Sequence, residues 1–179
     1  PEKKRNILRQ QFQADRPNQI WVSDVTCFKL GARYLYTCVI LDLFSRKIVA
    51  YNVSKKNSTQ LITSTFKIAW EQRSPNAGLI FHSDRGAQYT SHRFRQLLHE
   101  RSAEQSFSNS EKPHDNAVAE SFFATLKKED LYRKDYTSEA ACKRGLASYI
   151  EFYNTQRPHR TLKNQTPCQI EELFKSGNQ

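Results

Sequence analysis

The stretch Trp21-Val22-Ser23-Asp24-Val25-Thr26-Cys27-Phe28 is rich in aromatic and β-branched residues and reads as a strand, yet it carries an aspartate in its middle. Alternation gives Asp24 a largely apolar setting. An unpaired carboxylate there is costly, so it needs a buried salt bridge, an edge position or a chemical task. Two more strand-like runs follow at residues 34–41 and 48–53, separated by Gly31-Ala32 and Phe44-Ser45-Arg46. Links this short allow antiparallel hairpins and leave no room for crossover helices, so the first half reads as a meander.

Beyond the meander the period changes. Ser58 can cap a helix reaching about Arg73, with Leu61, Thr65, Ile68 and Ala69 on one face. Residues 79–82 form the next strand, Ser91 opens a helix with Phe94, Leu97 and Leu98 facing inward, and residues 105–107 make a last short strand. Strand, helix, strand, helix, strand implies parallel pairing here, because each helix serves as a crossover. After a polar loop at 108–115, Asp115 or Asn116 caps a helix running to about Leu131. Thr137 or Ser138 caps another, which carries Cys142, Leu146, Tyr149, Ile150 and Tyr153 on one stripe. Tyr153 and Phe152 are expected to pack in the core.

A chain of 179 residues, 37% hydrophobic, suffices for one globular domain. We read residues 1–19, with Lys3, Lys4, Arg5, Arg9 and Arg16, as a basic linker or arm, 20–135 as the core, and 136–179 as a helical extension of the same domain. Lysine and arginine outnumber aspartate and glutamate 28 to 18, a formal charge of +10, which favours a polyanionic partner, nucleic acid foremost, over a neutral small molecule. The four cysteines Cys27, Cys38, Cys142 and Cys168 form no C-x-x-C pair and have no histidine at zinc spacing, which fits reduced thiols in a cytoplasmic protein. Cys27 and Cys38 read as small buried hydrophobes. No apolar run approaches the ~20 residues that span a bilayer. Lacking methionine and starting at Pro1, the sequence is expected to be a fragment of a longer product.

Two more carboxylates bear on Asp24. Asp84 directly follows the strand ending in His82-Ser83, a place where open sheets put ligand-binding groups, and Gly86 lets the chain turn sharply after it. It could equally be a turn-forming aspartate. Glu120 lies in the first turns of its helix, on the face opposite Val118, Phe122 and Leu126 and within about 20° of Lys127. Mg²⁺ and Mn²⁺ prefer hard oxygen ligands, and two such ions can activate the attacking oxygen and stabilise the leaving one in an in-line displacement at phosphorus. Without metal, three such carboxylates would repel and raise one another's pKa. Asp42, at a hairpin, and Asp115, at a helix start, are read as structural.

Asp24, Asp84 and Glu120, with 35 residues between the last two, resemble the D, D(35)E signature of retroviral integrases and insertion-sequence transposases. The words around them look like motifs of insertion-sequence-three-type transposases: Trp21-Val22-Ser23-Asp24-Val25-Thr26, Leu41-Asp42-Leu43-Phe44-Ser45-Arg46, His82-Ser83-Asp84-Arg85-Gly86-Ala87-Gln88-Tyr89, Asp115-Asn116-Ala117-Val118-Ala119-Glu120-Ser121-Phe122-Phe123 and Tyr153-Asn154-Thr155-Gln156-Arg157-Pro158-His159-Arg160. The resemblance covers about residues 17–174. It implies an α/β, ribonuclease-H-like fold, a five-stranded mixed sheet flanked by helices with the first and fourth strands side by side. It further implies a bacterial enzyme, nucleoid-associated when on DNA, that binds transposon ends and target DNA as a homo-oligomer and needs no small-molecule substrate. One departure is the loop Ser108-Asn109-Ser110-Glu111-Lys112-Pro113-His114-Asp115, where family members more often carry a glycine and a tyrosine.

Lys127, two turns along from Glu120, is placed to meet a DNA phosphate, a position that similar integrases also use. Arg85, Arg157, His159 and Arg160 are further DNA-facing candidates. Cleavage followed by transfer of the freed 3′-OH is the reaction the resemblance implies. A ribonuclease-H-type nuclease that only hydrolyses, or a silent DNA-binding module, stays open at this point.

Overall fold

The structure, a computed structural model, describes residues 5–9, 11–109 and 115–177. Three antiparallel strands lead, β1 (Ile20–Leu30), β2 (Arg33–Asp42) and β3 (Ile48–Ser54). Gly31 turns the first hairpin at φ 59°, a conformation that costs glycine little. The second turn places Arg46 at φ 66°, and Asp42 shapes it: its carbonyl accepts from Arg46 N at 2.8 Å and its carboxylate from Phe44 N at 3.0 Å.

The chain then alternates. Helix α1 (Thr59–Arg73) is capped by Ser58, whose hydroxyl accepts from Leu61 N, and leads to β4 (Ile80–Ser83). The short α2 (Ala87–Thr90) and α3 (His92–Glu100) carry the chain to β5 (Glu104–Phe107). Strand β4 runs parallel to both β1 and β5, which gives the order β3-β2-β1-β4-β5, a five-stranded mixed sheet. Helix α4 (Ala117–Leu126) ends in a π turn at Lys127–Leu131, and α5 (Glu139–Thr155) and α6 (Pro167–Gly177) follow.

Alternation along the strands sorts the interior into two layers. Ile20, Val22, Leu35, Val39 and Leu41 pack with Phe122 and Leu126 of α4 and with Leu146 and Ile150 of α5. Trp21, Cys38 and Ile40 face the other way, onto Phe66 of α1 and Phe94 of α3. Burying each such side chain contributes about 1.5–3 kcal/mol. Asp24 has the parity of Ile20 and Val22, so it lies on the α4 side of the sheet.

Several expectations need correction. Cys27 is exposed, because β4 pairs only with Ile20–Val22 and the far half of β1 runs past its cover. Phe152 falls off the buried stripe of α5 and is 40% exposed. Asn116, not Asp115, precedes α4, and it makes no side-chain cap bond. Before β1 the chain lies along β5: Leu8 is buried, Phe107 N donates to Arg5 O at 2.8 Å, and Ile7 N donates to Ser106 Oγ at 2.9 Å. Lys3, Lys4 and the loop residues Ser110, Glu111, Lys112, Pro113 and His114 lie outside the described residues.

Candidate active site

Parallel pairing sets Val22 of β1 beside His82 of β4. Two residues further along each chain come Asp24 and Asp84, so the register that builds the sheet also carries these two carboxylates to neighbouring positions, at the carboxyl end of β4. Asp24 is half-buried, whereas Asp84 and Glu120 are exposed. Asp24 Oδ1 accepts from Val25 N and Asp84 Oδ1 from Gly86 N, both at 2.8 Å. A Cβ on Gly86 would come within 2.9 Å of Asp84 Oδ1, so a side chain there would press on the carboxylate.

Burial drives Asp24 up from 3.8 to about 7. The Val25 amide works against that rise, and the negative charges of Asp84 and Glu120 add to it. Asp84 and Glu120 are therefore both within electrostatic reach of Asp24.

Ser23 ties together the segments that carry them. Its hydroxyl donates to Val39 O at 2.8 Å and meets Tyr89 Oη at 2.9 Å, which ties α2, and with it the Asp84 turn, to β1. Its carbonyl accepts from Asn116 Nδ2 at 3.1 Å, which ties the start of α4, and with it Glu120, to the same residue. His82 adds a second tie. Its Nε2 lies 2.9 Å from Asp115 O, and a carbonyl only accepts, so Nε2 carries the proton and Nδ1 accepts from Ser106 Oγ at 2.8 Å. Burial lowers the His82 pKa, which keeps this neutral tautomer. Sequence reasoning passed over Ser23, Tyr89 and His82, and read Asn116 only as a cap.

Among the described residues, no three His, Cys, Asp or Glu side chains are drawn close enough to hold an ion as they stand. The donor chemistry nevertheless suits a hard divalent cation. Asp24, Asp84 and Glu120 offer only carboxylate oxygens, and a cation would favour the ionised Asp24 against the burial that raises it and relieve the smaller repulsion from the other two.

The cationic candidates separate. Lys127 is half-buried at the start of the π turn, and Arg85 is exposed with its Nε donating to Ser108 O at 2.9 Å. Arg160 is exposed and forms no ion pair among the described residues. Arg157 forks onto Glu129, its Nε 2.9 Å from Oε2 and its Nη2 2.9 Å from Oε1. His159 is not at the surface: it is buried, its Nε2 lies 2.9 Å from Tyr153 O, and its ring stands edge-on to Tyr153 at 4.3 Å. Its neighbours in sequence are polar, which hid the aromatic contact made from α5.

Known proteins are similar to this chain in sequence and fold. The integrase core domain family matches residues 14–113, and a second integrase core domain description matches residues 101–167. The transposase for insertion sequence element IS904 of Lactococcus lactis subsp. lactis (strain IL1403) is 37% identical over 168 residues, 93% of this chain and 66% of its own. Transposase InsF for insertion sequence IS3A of Escherichia coli (strain K12) is 33% identical over 168 residues, covering 93% of this chain and 58% of its own. The chain thus spans less than two thirds of the length of either relative. Among solved structures, the magnesium-bound catalytic core domain of HTLV-2 integrase superposes with a TM-score of 0.72 at 20% identity, over 88% of this chain and 99% of that one. A simian T-cell lymphotropic virus intasome chain gives 0.78 at 19% identity, over 89% and 56%. With its mixed sheet in this order and its flanking helices, the fold is ribonuclease-H-like, and the chain belongs to the integrase core domain family.

Proposed function

We propose that this chain is the catalytic domain of a DNA transposase, a polynucleotidyl transferase that cleaves at transposon ends and joins the freed 3′-OH to a second DNA. The observation that carries this reading is the parallel register of β1 and β4, which sets Asp24 and Asp84 side by side with Glu120 in electrostatic reach. Asp24, Asp84 and Glu120 are the residues that would hold Mg²⁺ or Mn²⁺, two ions in the reading favoured here, and the bound cations would neutralise the attacked phosphate and favour the ionised form of the attacking oxygen.

The chain's own groups do the rest. Ser23, Asn116 and Tyr89 tie together the backbone segments that carry the carboxylates, so that only the side chains need close when a cation and DNA arrive. Cleavage forms a bond from water oxygen to phosphorus and breaks the P–O3′ bond, leaving a 3′-OH and a 5′-phosphate. In joining, that 3′-OH oxygen attacks a second phosphodiester, whose own 3′ oxygen leaves and takes up a proton. One phosphodiester is made for each one broken, so no external energy source is required. Lys127 and Arg85 are proposed to steady the DNA backbone beside this centre, and the working form is proposed to be a multimer on paired ends. Among the described residues no helix is long and apolar enough to cross a membrane, and action on DNA in the bacterial cytoplasm is part of the same proposal.

The experiment is a strand-transfer assay with labelled transposon-end duplex and Mg²⁺, using the full-length protein. Joined products are expected, and they should disappear in Asp24→Asn, Asp84→Asn and Glu120→Gln while DNA affinity persists. Shortened strands without joining would mark a hydrolase only. Absence of any nicking would mark a silent binding module.

A further inference from the structure

On the sheet face that carries α4, a cleft of about 360 Å³ opens between that helix and the segment after α5. Its walls include Arg46 from the β2–β3 turn, Ser121 and Thr125 from α4, and Arg157, Arg160 and Thr161. Three guanidinium groups and two hydroxyl-bearing helix residues line it, and no carboxylate does. Ser121 and Thr125 are four residues apart and so share one side of α4. Ser121 follows Glu120 directly, about 100° around the helix.

The three arginines are not equivalent. Arg157 is already neutralised by its fork onto Glu129. Arg46 uses Nη2 to bond Phe12 O at 2.9 Å, but its Nη1 is enclosed and has no hydrogen-bond partner. A buried donor left unsatisfied is costly, and more so when the group is charged. Arg160 is exposed and without an ion pair among the described residues. A cleft whose lining combines a guanidinium with one enclosed, unpartnered nitrogen, a second guanidinium outside any ion pair and several hydroxyls suits an oxyanion.

We infer that this cleft is a phosphate subsite, in which Arg46 and Arg160 together hold one backbone phosphodiester of the DNA strand that passes Glu120. The inference rests on the DNA-processing reading above and names the contact that reading lacks. Arg46 donates to the phosphate once its enclosed Nη1 turns into the cleft, and Arg160 closes over the outer oxygens. A phosphate held here flanks the one placed at Glu120, because Ser121 and Glu120 are adjacent on α4. The subsite thereby sets which phosphate of the strand meets the carboxylates.

Salt-dependent binding tests this directly, because each phosphate neutralised on duplex DNA changes the slope of log affinity against log salt by about 0.9. The whole chain is titrated with fluorescent duplex DNA at several salt concentrations, as wild type, Arg160→Gln, the Arg46→Gln/Arg160→Gln double variant and Thr125→Glu. The double variant should lower the slope by about 0.9, the value for one shared phosphate. Thr125→Glu, which sets a carboxylate in the cleft and leaves both arginines in place, should do the same. Because Arg46 also anchors Phe12, thermal melts accompany each variant, and Thr125→Glu and Arg160→Gln carry the test if the double variant does not fold. A double-variant drop of about 1.8 would mean two separate surface phosphates and overturns the shared subsite. So does wild-type slope and affinity in Thr125→Glu and Arg160→Gln, which leaves the transposase reading standing. A wild type without salt-sensitive DNA binding overturns both.

Discussion

A carboxyl pushed up to about 7 works against the folded chain until a cation arrives. The folded pKa of Asp24 exceeds its ordinary 3.8, so between about those two values the folded state binds more protons than the unfolded one. Its contribution to stability therefore falls as pH rises through that window. In chelator, Asp24→Asn should melt higher than wild type at pH 8 by a few degrees, at roughly 2–4 °C per kcal/mol for a domain of this size, and the gain should fade toward pH 4. Equal melting temperatures at pH 8 would show that Asp24 is under no such pressure. Asn116 belongs to the same scale. Its Nδ2 bond to Ser23 O is the side-chain tie between the Glu120 helix and β1. Asn116→Ala should lower the strand-transfer rate by about 10–100-fold, as loss of a supporting contact around a metal ligand does. Asn116→Asp should not rescue it, since a carboxylate cannot donate to a carbonyl. Full activity in Asn116→Ala would reduce that bond to a packing detail.

Helix α6 is held by contacts that periodicity only half shows. Pro167, Ile170 and Phe174 share one side of it, and the Phe174 ring stands edge-on to Phe44 at 5.2 Å. The buried charge on that helix is what the pattern does not announce: Glu171 accepts from Arg73 Nη1 at 2.8 Å, from Arg73 Nη2 at 2.6 Å and from Ser45 Oγ at 2.8 Å, and Arg73 also reaches Asp42 at 3.0 Å. Burial alone would raise Glu171, yet the Arg73 fork outweighs it and the pKa is lowered below 4.5. Asp42, wholly enclosed and given only one guanidinium nitrogen, is pushed up by burial instead. Glu171→Ala should cost about 3 kcal/mol, because it removes two charge-assisted bonds from Arg73, which then keeps only Asp42 and Asn18 among the described residues. That is roughly 6–12 °C in Tm. The stabilisation is present above the ordinary glutamate range and lost as pH falls through the depressed value, so wild type and Glu171→Gln should converge in acid. Divergence that persists at pH 3 would mean the helix is held otherwise. By contrast β1, β2, β3, α1, α3 and α5 were legible, because their faces are apolar at period 2 or 3.6. The four-residue α2 is too short to show a period, and the π turn at Lys127–Leu131 interrupts a pattern that reads as one continuous helix.

Over the whole chain, Asp24 stands out in the sequence as a carboxylate inside a strand and Asp84 as one at a strand's end, whereas Glu120, on the open face of a helix, is singled out only through the resemblance to the integrase pattern. Their convergence could not be read from the sequence, since it depends on β1 lying beside β4, a pairing between segments about sixty residues apart that alternation does not encode. The same limit hid the Ser23 ties and the Arg46 cleft. The formal charge of +10 is a property of the entire surface and carries no base-reading geometry. Duplex DNA should therefore bind this chain in a salt-sensitive way with little regard to sequence. Titration against transposon-end and scrambled duplexes at two salt concentrations checks it. A preference beyond roughly a hundredfold, about 2.7 kcal/mol, would place end recognition within these residues.

The pairing of Val22 with His82 also governs how the gene can change in length. A single codon gained or lost between Ile20 and Asp24 would turn the carboxylate to the opposite side of the sheet, whereas the same change at Gly31-Ala32 would only reshape a hairpin tip. Insertions should accordingly be absent from the first few positions of β1 and found at its far end, so that deep insertion scanning would trace the outline of the centre without measuring any chemistry.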